Sequence, residues 1–102
     1  MCIEDLIRHD KLVDETHDRL VSKGRYNSIQ KYVHYRTKEG AGELDIVASN
    51  NDFINYYEMK IHYCKQSREH AIKQFQRYKL THPLLAVRFI YVTPTRVERI
   101  RL

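Results

Sequence analysis

Gly42-Glu43-Leu44-Asp45-Ile46-Val47-Ala48, then Ser49-Asn50-Asn51-Asp52, then Phe53-Ile54-Asn55-Tyr56-Tyr57-Glu58-Met59-Lys60 is the stretch whose reading decides the fold. Two runs rich in β-branched and aromatic residues flank four strong turn formers, so the segment reads as a hairpin. Side chains alternate along a strand, which sends Glu58 and Lys60 to one face. Asp45 precedes Glu58 by thirteen residues across the tight turn, and pairing of the two strands sets their carboxylates side by side. Two adjacent carboxylates repel unless a cation or a proton lies between them. Mg2+ or Mn2+ is the natural cation, because hard oxygen ligands suit these ions. The plainer reading of Glu58 and Lys60 is a structural ion pair.

Working outward, residues 3–23 are expected to form a helix, with Ile3, Leu6, Ile7, Val13, Leu20 and Val21 on one face and Lys23-Gly24 as its stop. Asp10, Asp14 and His17 interrupt that face at 100° per residue, while Glu15 projects away from it. Residues 26–37 read as a first strand, 38–42 as a turn, 43–48 as a second strand and 53–63 as a third, together an antiparallel meander. A second helix is expected over 67–81, with Ser67 as N-cap, Ala71, Ile72, Phe75 and Tyr78 as its apolar stripe, and His82-Pro83 as its end. Strands over 86–93 and 97–102 follow, the last at an edge. The order α-β-β-β-α-β-β implies an α/β fold, a mixed sheet flanked by helices. The helical crossover lets the fourth strand pair in parallel with an earlier one.

The 102 residues suit one domain. No apolar run approaches a membrane span, and no secretory leader is evident at the start, so a soluble cytoplasmic protein is expected. Cys2 and Cys64 form no CxxC pair, which removes zinc-ribbon and iron–sulfur readings. The net charge of +5 is unevenly spread. Residues 1–57 carry eight Lys/Arg and ten Asp/Glu, whereas 58–102 carry ten and three. A basic half with interleaved tyrosines suits a polyanion whose bases stack on aromatic rings.

The pattern GExDIV, hairpin, YExK resembles the core motif of the PD-(D/E)XK nuclease superfamily, and the element order is similar to that family's fold. Leu44 stands where the family has proline. Gln74-Phe75-Gln76-Arg77-Tyr78 is similar to the QxxxY motif of its RecB-like members, with Gln74 and Tyr78 on one helix face. The resemblance implies that Asp45 and Glu58 hold Mg2+ or Mn2+, that Lys60 is catalytic and that Gln74 belongs to the active site. It also implies a histidine metal ligand from the preceding region, for which His17 is preferred to Glu15 on helix phase. Glu43 and His62 share the strand faces of the trio and are weaker candidates. Nucleic acid, DNA first, is the expected partner, met by Tyr78, Lys65, Arg68, Lys73 and Arg77. Two competing expectations stay open: a dimeric Holliday junction resolvase, and a non-catalytic binding module or subunit with the same fold.

Overall fold

The computed structural model describes residues 3–38, 40–79 and 86–101. It has α1 (Ile3–Lys23), β1 (Ser28–Thr37), β2 (Gly40–Ser49), β3 (Ile54–Met59), α2 (Lys65–Lys79), β4 (Val87–Thr93) and β5 (Arg96–Ile100). The five strands form one mixed sheet in the order β1-β2-β3-β4-β5. β1–β2, β2–β3 and β4–β5 are antiparallel, and the crossover through α2 makes β3–β4 parallel. This is the expected α/β order.

Alternation in the strands builds two cores. Ile46 and Ala48, Tyr57 and Met59, and Val92 pack with Val13 and Leu20 of α1. Leu44, Tyr56, Phe89 and Tyr91 pack with Ala71, Phe75 and Tyr78 of α2 on the other side. The helices therefore cover opposite faces of the sheet, a three-layer arrangement.

Several boundaries move for identifiable reasons. Gly40, Ala41 and Gly42 belong to β2 rather than to a turn, because the β1 ladder continues to the Thr37–Gly40 pair. β3 stops at Met59, and Lys60 donates only a last backbone hydrogen bond to Val92 O, at 2.9 Å. α2 starts at Lys65 because Cys64, not Ser67, caps it: the Ser67 N–H donates to Cys64 Sγ at 3.4 Å. The expected helix stop at His82-Pro83 lies outside the described residues. Gly24 ends α1 as anticipated, in the left-handed conformation (φ 64°), with its N–H donating to Val21 O.

α1 presents a different face from the expected one. Ile3, Leu6, Ile7 and Val21 are exposed, and the buried residues are Val13, Thr16 and Leu20. No helix among the described residues is long and apolar enough to cross a membrane.

One irregularity positions the site. Tyr32 has φ 56°, and the β1–β2 register omits a Tyr32–Asp45 pair. On either side of this point the strands exchange faces. Ile46 joins the α1 core, whereas Leu44 and Tyr35 join the α2 core. A left-handed φ at a bulky residue costs about 1–3 kcal/mol. The Tyr32 hydroxyl, donating to Asp10 Oδ1 on α1 at 2.7 Å, offsets part of that. The turnover point is where Asp45 sits.

Candidate functional site

β2 and β3 pair with Ile46 opposite Tyr57, so the same register extended by one residue sets Asp45 across from Glu58. Both side chains are buried, at 5% and 3% exposure, where an unpartnered carboxylate is costly. Each shifts the acidity of the other, so the two side chains lie close together. Asp45 Oδ2 also accepts from the Met59 N–H at 2.8 Å and meets His9 Nε2 of α1 at 3.2 Å.

The surroundings drive the two carboxyls apart in acidity. Burial, then the hydrogen bond and charge of Asp45, push Glu58 well above its ordinary value, against the pull of the Lys60 ammonium. Burial raises Asp45 as well, but hydrogen bonds from His9, Glu58 and the Met59 N–H outweigh it and hold the group below its ordinary value. The surroundings thus favour the protonated form of Glu58 and the ionised form of Asp45. His9 is raised, chiefly by its hydrogen bond to Asp45, with Asp10 on its other ring nitrogen at 3.7 Å.

Glu58 Oε2 is buried without a hydrogen-bond partner. An orphaned carboxylate oxygen beside a second carboxylate is a donor set suited to a hard cation. Among the described residues no three or more His, Cys, Asp or Glu side chains gather as a ready metal cage. In this arrangement His9 and the Met59 N–H hold Asp45, and a cation taken up by both carboxylates would displace a proton from Glu58.

The residues singled out from sequence divide into those brought to this point and those held elsewhere. Lys60 lies just past β3, half-buried, with its charge felt by Glu58. Gln74 is one step removed: its Oε1 accepts a short hydrogen bond from the Tyr35 hydroxyl. Tyr35 is buried on the α2 face, and its hydroxyl is raised by burial, lowered by the Arg77 guanidinium and raised by the Glu58 charge. Gln74 thus holds Tyr35, which feels the charges of Arg77 and Glu58. Gly42 allows it, since a β carbon there would meet Tyr35 Oη at 2.5 Å and Gln74 Oε1 at 2.6 Å.

His17 is not at the carboxylates. It pairs with Asp18 at 3.4 Å, and it sits eight residues from His9, roughly 12 Å along the helix axis at 1.5 Å per residue. His9 holds the position expected of His17, because the buried stripe runs through His9, Val13, Thr16 and Leu20. Glu15 is exposed and 3.9 Å from Lys11. Tyr78, expected at the nucleic-acid surface, is buried, packed edge-on against Tyr35 and Tyr56 at 5.0 and 4.3 Å, with no open ring face for a base. Arg68 is held by Glu98 of β5 through three contacts of 2.9 to 3.1 Å. Lys65 and Lys73 are exposed. Glu43 faces His34 at 3.4 Å, and His62 stands 3.9 Å from Asp5. Asp10 and Asp14 are exposed and tie α1 to β1 through Tyr32 and Lys31.

The residue that sequence reasoning missed is His9. Its signal was available: four residues before Val13, it falls on the face that Val13 and Leu20 define. In comparison with known proteins, the sequence matches no family model and no curated protein.

Proposed function

We propose that this chain is a divalent-metal-dependent nuclease of the PD-(D/E)XK type, acting on DNA phosphodiester bonds. The observation that carries the reading is the buried pair of carboxyls, Asp45 and Glu58, built from adjacent strands, with the charge of Lys60 felt by Glu58. The α-β-β-β-α-β-β order and the QxxxY residues on α2 support it further.

Asp45 and Glu58 are the residues that would hold Mg2+ or Mn2+. A bound divalent ion supplies Lewis acidity and a water of lowered pKa. Lys60 adds positive charge where negative charge develops on the phosphoryl oxygens. His9 fixes the orientation of Asp45 from behind, and the Met59 N–H fixes it along the strand. Gln74 acts through Tyr35, whose hydroxyl feels the Glu58 charge.

The test is cleavage of labelled single-stranded, duplex and four-way-junction DNA with Mg2+, Mn2+ or EDTA, for the wild type and Glu58→Ala. Metal-dependent cutting that the variant loses supports the nuclease, and the preferred substrate separates a RecB-like enzyme from a junction resolvase. Intact binding with no cutting of any substrate returns the non-catalytic module.

Because His9 orients a metal-holding carboxylate, His9→Ala is expected to weaken Mn2+ binding by about 10- to 100-fold with the fold retained. Titration calorimetry reads this directly, and unchanged affinity removes His9 from the site. His17→Ala is expected to leave Mn2+ affinity within about twofold of the wild type, because His17 lies two turns away.

The dimeric resolvase is the second reading. Ile3, Leu6 and Ile7 favour it, three large apolar side chains at one end of α1 that are 77%, 52% and 61% exposed. Sedimentation across a concentration series, with Leu6→Lys as the disrupting variant, checks for self-association.

A further inference from the structure

A cleft of about 710 Å3 runs between α1 and the β4–β5 hairpin. Its helix wall carries Arg8, Lys11 and Arg19, and its hairpin wall ends in Thr93-Pro94-Thr95-Arg96. Four cations face one carboxylate, Glu15, which is 3.9 Å from Lys11 and itself exposed. All four cationic side chains are exposed. Among the described residues Arg8 and Arg96 have no carboxylate partner within ion-pair distance, Arg96 lying over the Tyr63 ring at 4.3 Å. The Arg19 guanidinium donates to Thr16 Oγ1 at 3.4 Å.

The cleft adjoins the candidate site on both walls. On the helix, Arg8 precedes His9, which contacts Asp45. On the sheet, Val92 lines the cleft and accepts the backbone hydrogen bond of Lys60. From Arg8 to Arg19 the helix advances roughly 16 Å. At about 3.4 Å per stacked nucleotide, that covers about five nucleotides. A free phosphate or a mononucleotide would use only part of such a track.

The basic side chains of α2 make a poorer track. Arg68 is neutralised by Glu98, and Arg77 is half-buried beside Tyr35. Lys65 and Lys73 remain exposed there.

We infer that the cleft between α1 and the β4–β5 hairpin is the track for a nucleic-acid backbone leading to the carboxylate pair, with Arg8, Lys11, Arg19 and Arg96 contacting successive phosphates. This rests on the nucleic-acid reading above and deepens it by naming the surface.

Binding is measured in EDTA, where no metal-dependent cleavage occurs, by fluorescence anisotropy of a labelled 12-nucleotide single strand and a 12-base-pair duplex over a range of salt. Arg8→Glu with Arg96→Glu is expected to weaken the better-bound probe at least tenfold. Neutralising the pair with Arg8→Gln and Arg96→Gln should flatten the salt dependence by roughly 1.4 for a single strand or 1.8 for a duplex, two phosphate contacts in either case. Lys65→Glu with Lys73→Glu should bind within about twofold of the wild type; both expectations follow from phosphate contacts dominating affinity. Circular dichroism melts confirm folding of each variant. The inference is overturned if the cleft variants bind like the wild type, if the α2 variant loses more, or if the wild type binds neither probe. A wild type that binds through the cleft yet cuts nothing defeats the nuclease and leaves the cleft standing. One that cuts with its cleft variants unimpaired defeats the cleft alone.

Discussion

Glu58→Gln is expected to abolish metal-dependent cleavage while raising the thermal stability of the metal-free protein. The two effects have one cause. Glu58 is buried, its Oε2 has no hydrogen-bond partner, and its acidity is suppressed by burial and by Asp45. An ionised group there is a liability to the fold and an asset to a cation. The amide has the same shape, stays neutral at every pH, and can still donate to Asp45. It cannot bind a divalent ion as a carboxylate does. Losing several kcal/mol of metal-supplied stabilisation corresponds to a rate loss on the order of 1,000-fold. The stability gain near neutral pH is read as a higher melting temperature of the variant in EDTA.

The sign of the pH dependence follows from the same group. Glu58 is raised in the folded protein, so its proton favours folding below the ordinary carboxylate range, and that contribution is lost as pH rises through the raised value. Asp45 is held below its ordinary value and acts oppositely, stabilising above the ordinary range and losing that contribution in acid. His9 is raised, so its contribution is lost as pH climbs through its raised value. The advantage of Glu58→Gln over the wild type in EDTA should therefore be small at pH 4 and grow toward pH 8. A difference that stays flat across that range means Glu58 does not carry the proton. Cutting that survives the substitution removes Glu58 from the site altogether.

How much of this was legible in the sequence depends on which force set each feature. The element order was legible because apolar periodicity and the Ser49–Asp52 turn are local signals, and the pairing of Asp45 with Glu58 followed from strand parity and a short connection. The face of α1 was not. Ile3, Leu6, Ile7 and Val21 pulled the expected helix phase toward residues that stay exposed, while Thr16 and the half-buried His9 take places on the covered side. Apolar residues at the start of the helix are weak evidence of phase, since its buried positions begin only at Val13. The turnover at Tyr32 was equally hidden, since no residue type announces its left-handed φ. Tyr78 and Arg68 were misplaced for a similar reason. A tyrosine on a basic helix can serve a core or a ligand, and only the packing against Tyr35 and Tyr56 and the reach of Glu98 from β5 decide.

Gly42→Ala offers a prediction in which two physical effects have opposite signs. In an extended strand, replacing glycine by alanine reduces the freedom of the unfolded chain and by itself stabilises by about 0.4–1 kcal/mol. Here the added carbon would lie 2.5 Å from Tyr35 Oη, 2.7 Å from Tyr35 Cζ and 2.6 Å from Gln74 Oε1. Tyr35 cannot easily retreat: it is the cross-strand neighbour of Gly42, and its ring is fixed edge-on against Tyr78. Gln74, the end of a flexible side chain, gives way first, which breaks its hydrogen bond to Tyr35 and loosens the wall that Tyr35 forms on the α2 side of the sheet. Crowding of a packed site costs about 1–3 kcal/mol, so a net loss of about 1–2 kcal/mol and a melting temperature lower by roughly 5–10 °C are expected. Displacing the wall by about an ångström should lower cleavage on the order of 100-fold. Adding Gln74→Ala to Gly42→Ala makes room for the methyl group and should recover much of the stability without recovering activity. A stabilised Gly42→Ala variant with full activity means the Tyr35–Gln74 contact holds nothing that matters to the site. Stability and activity rising together in the double variant mean Gln74 acts only as packing.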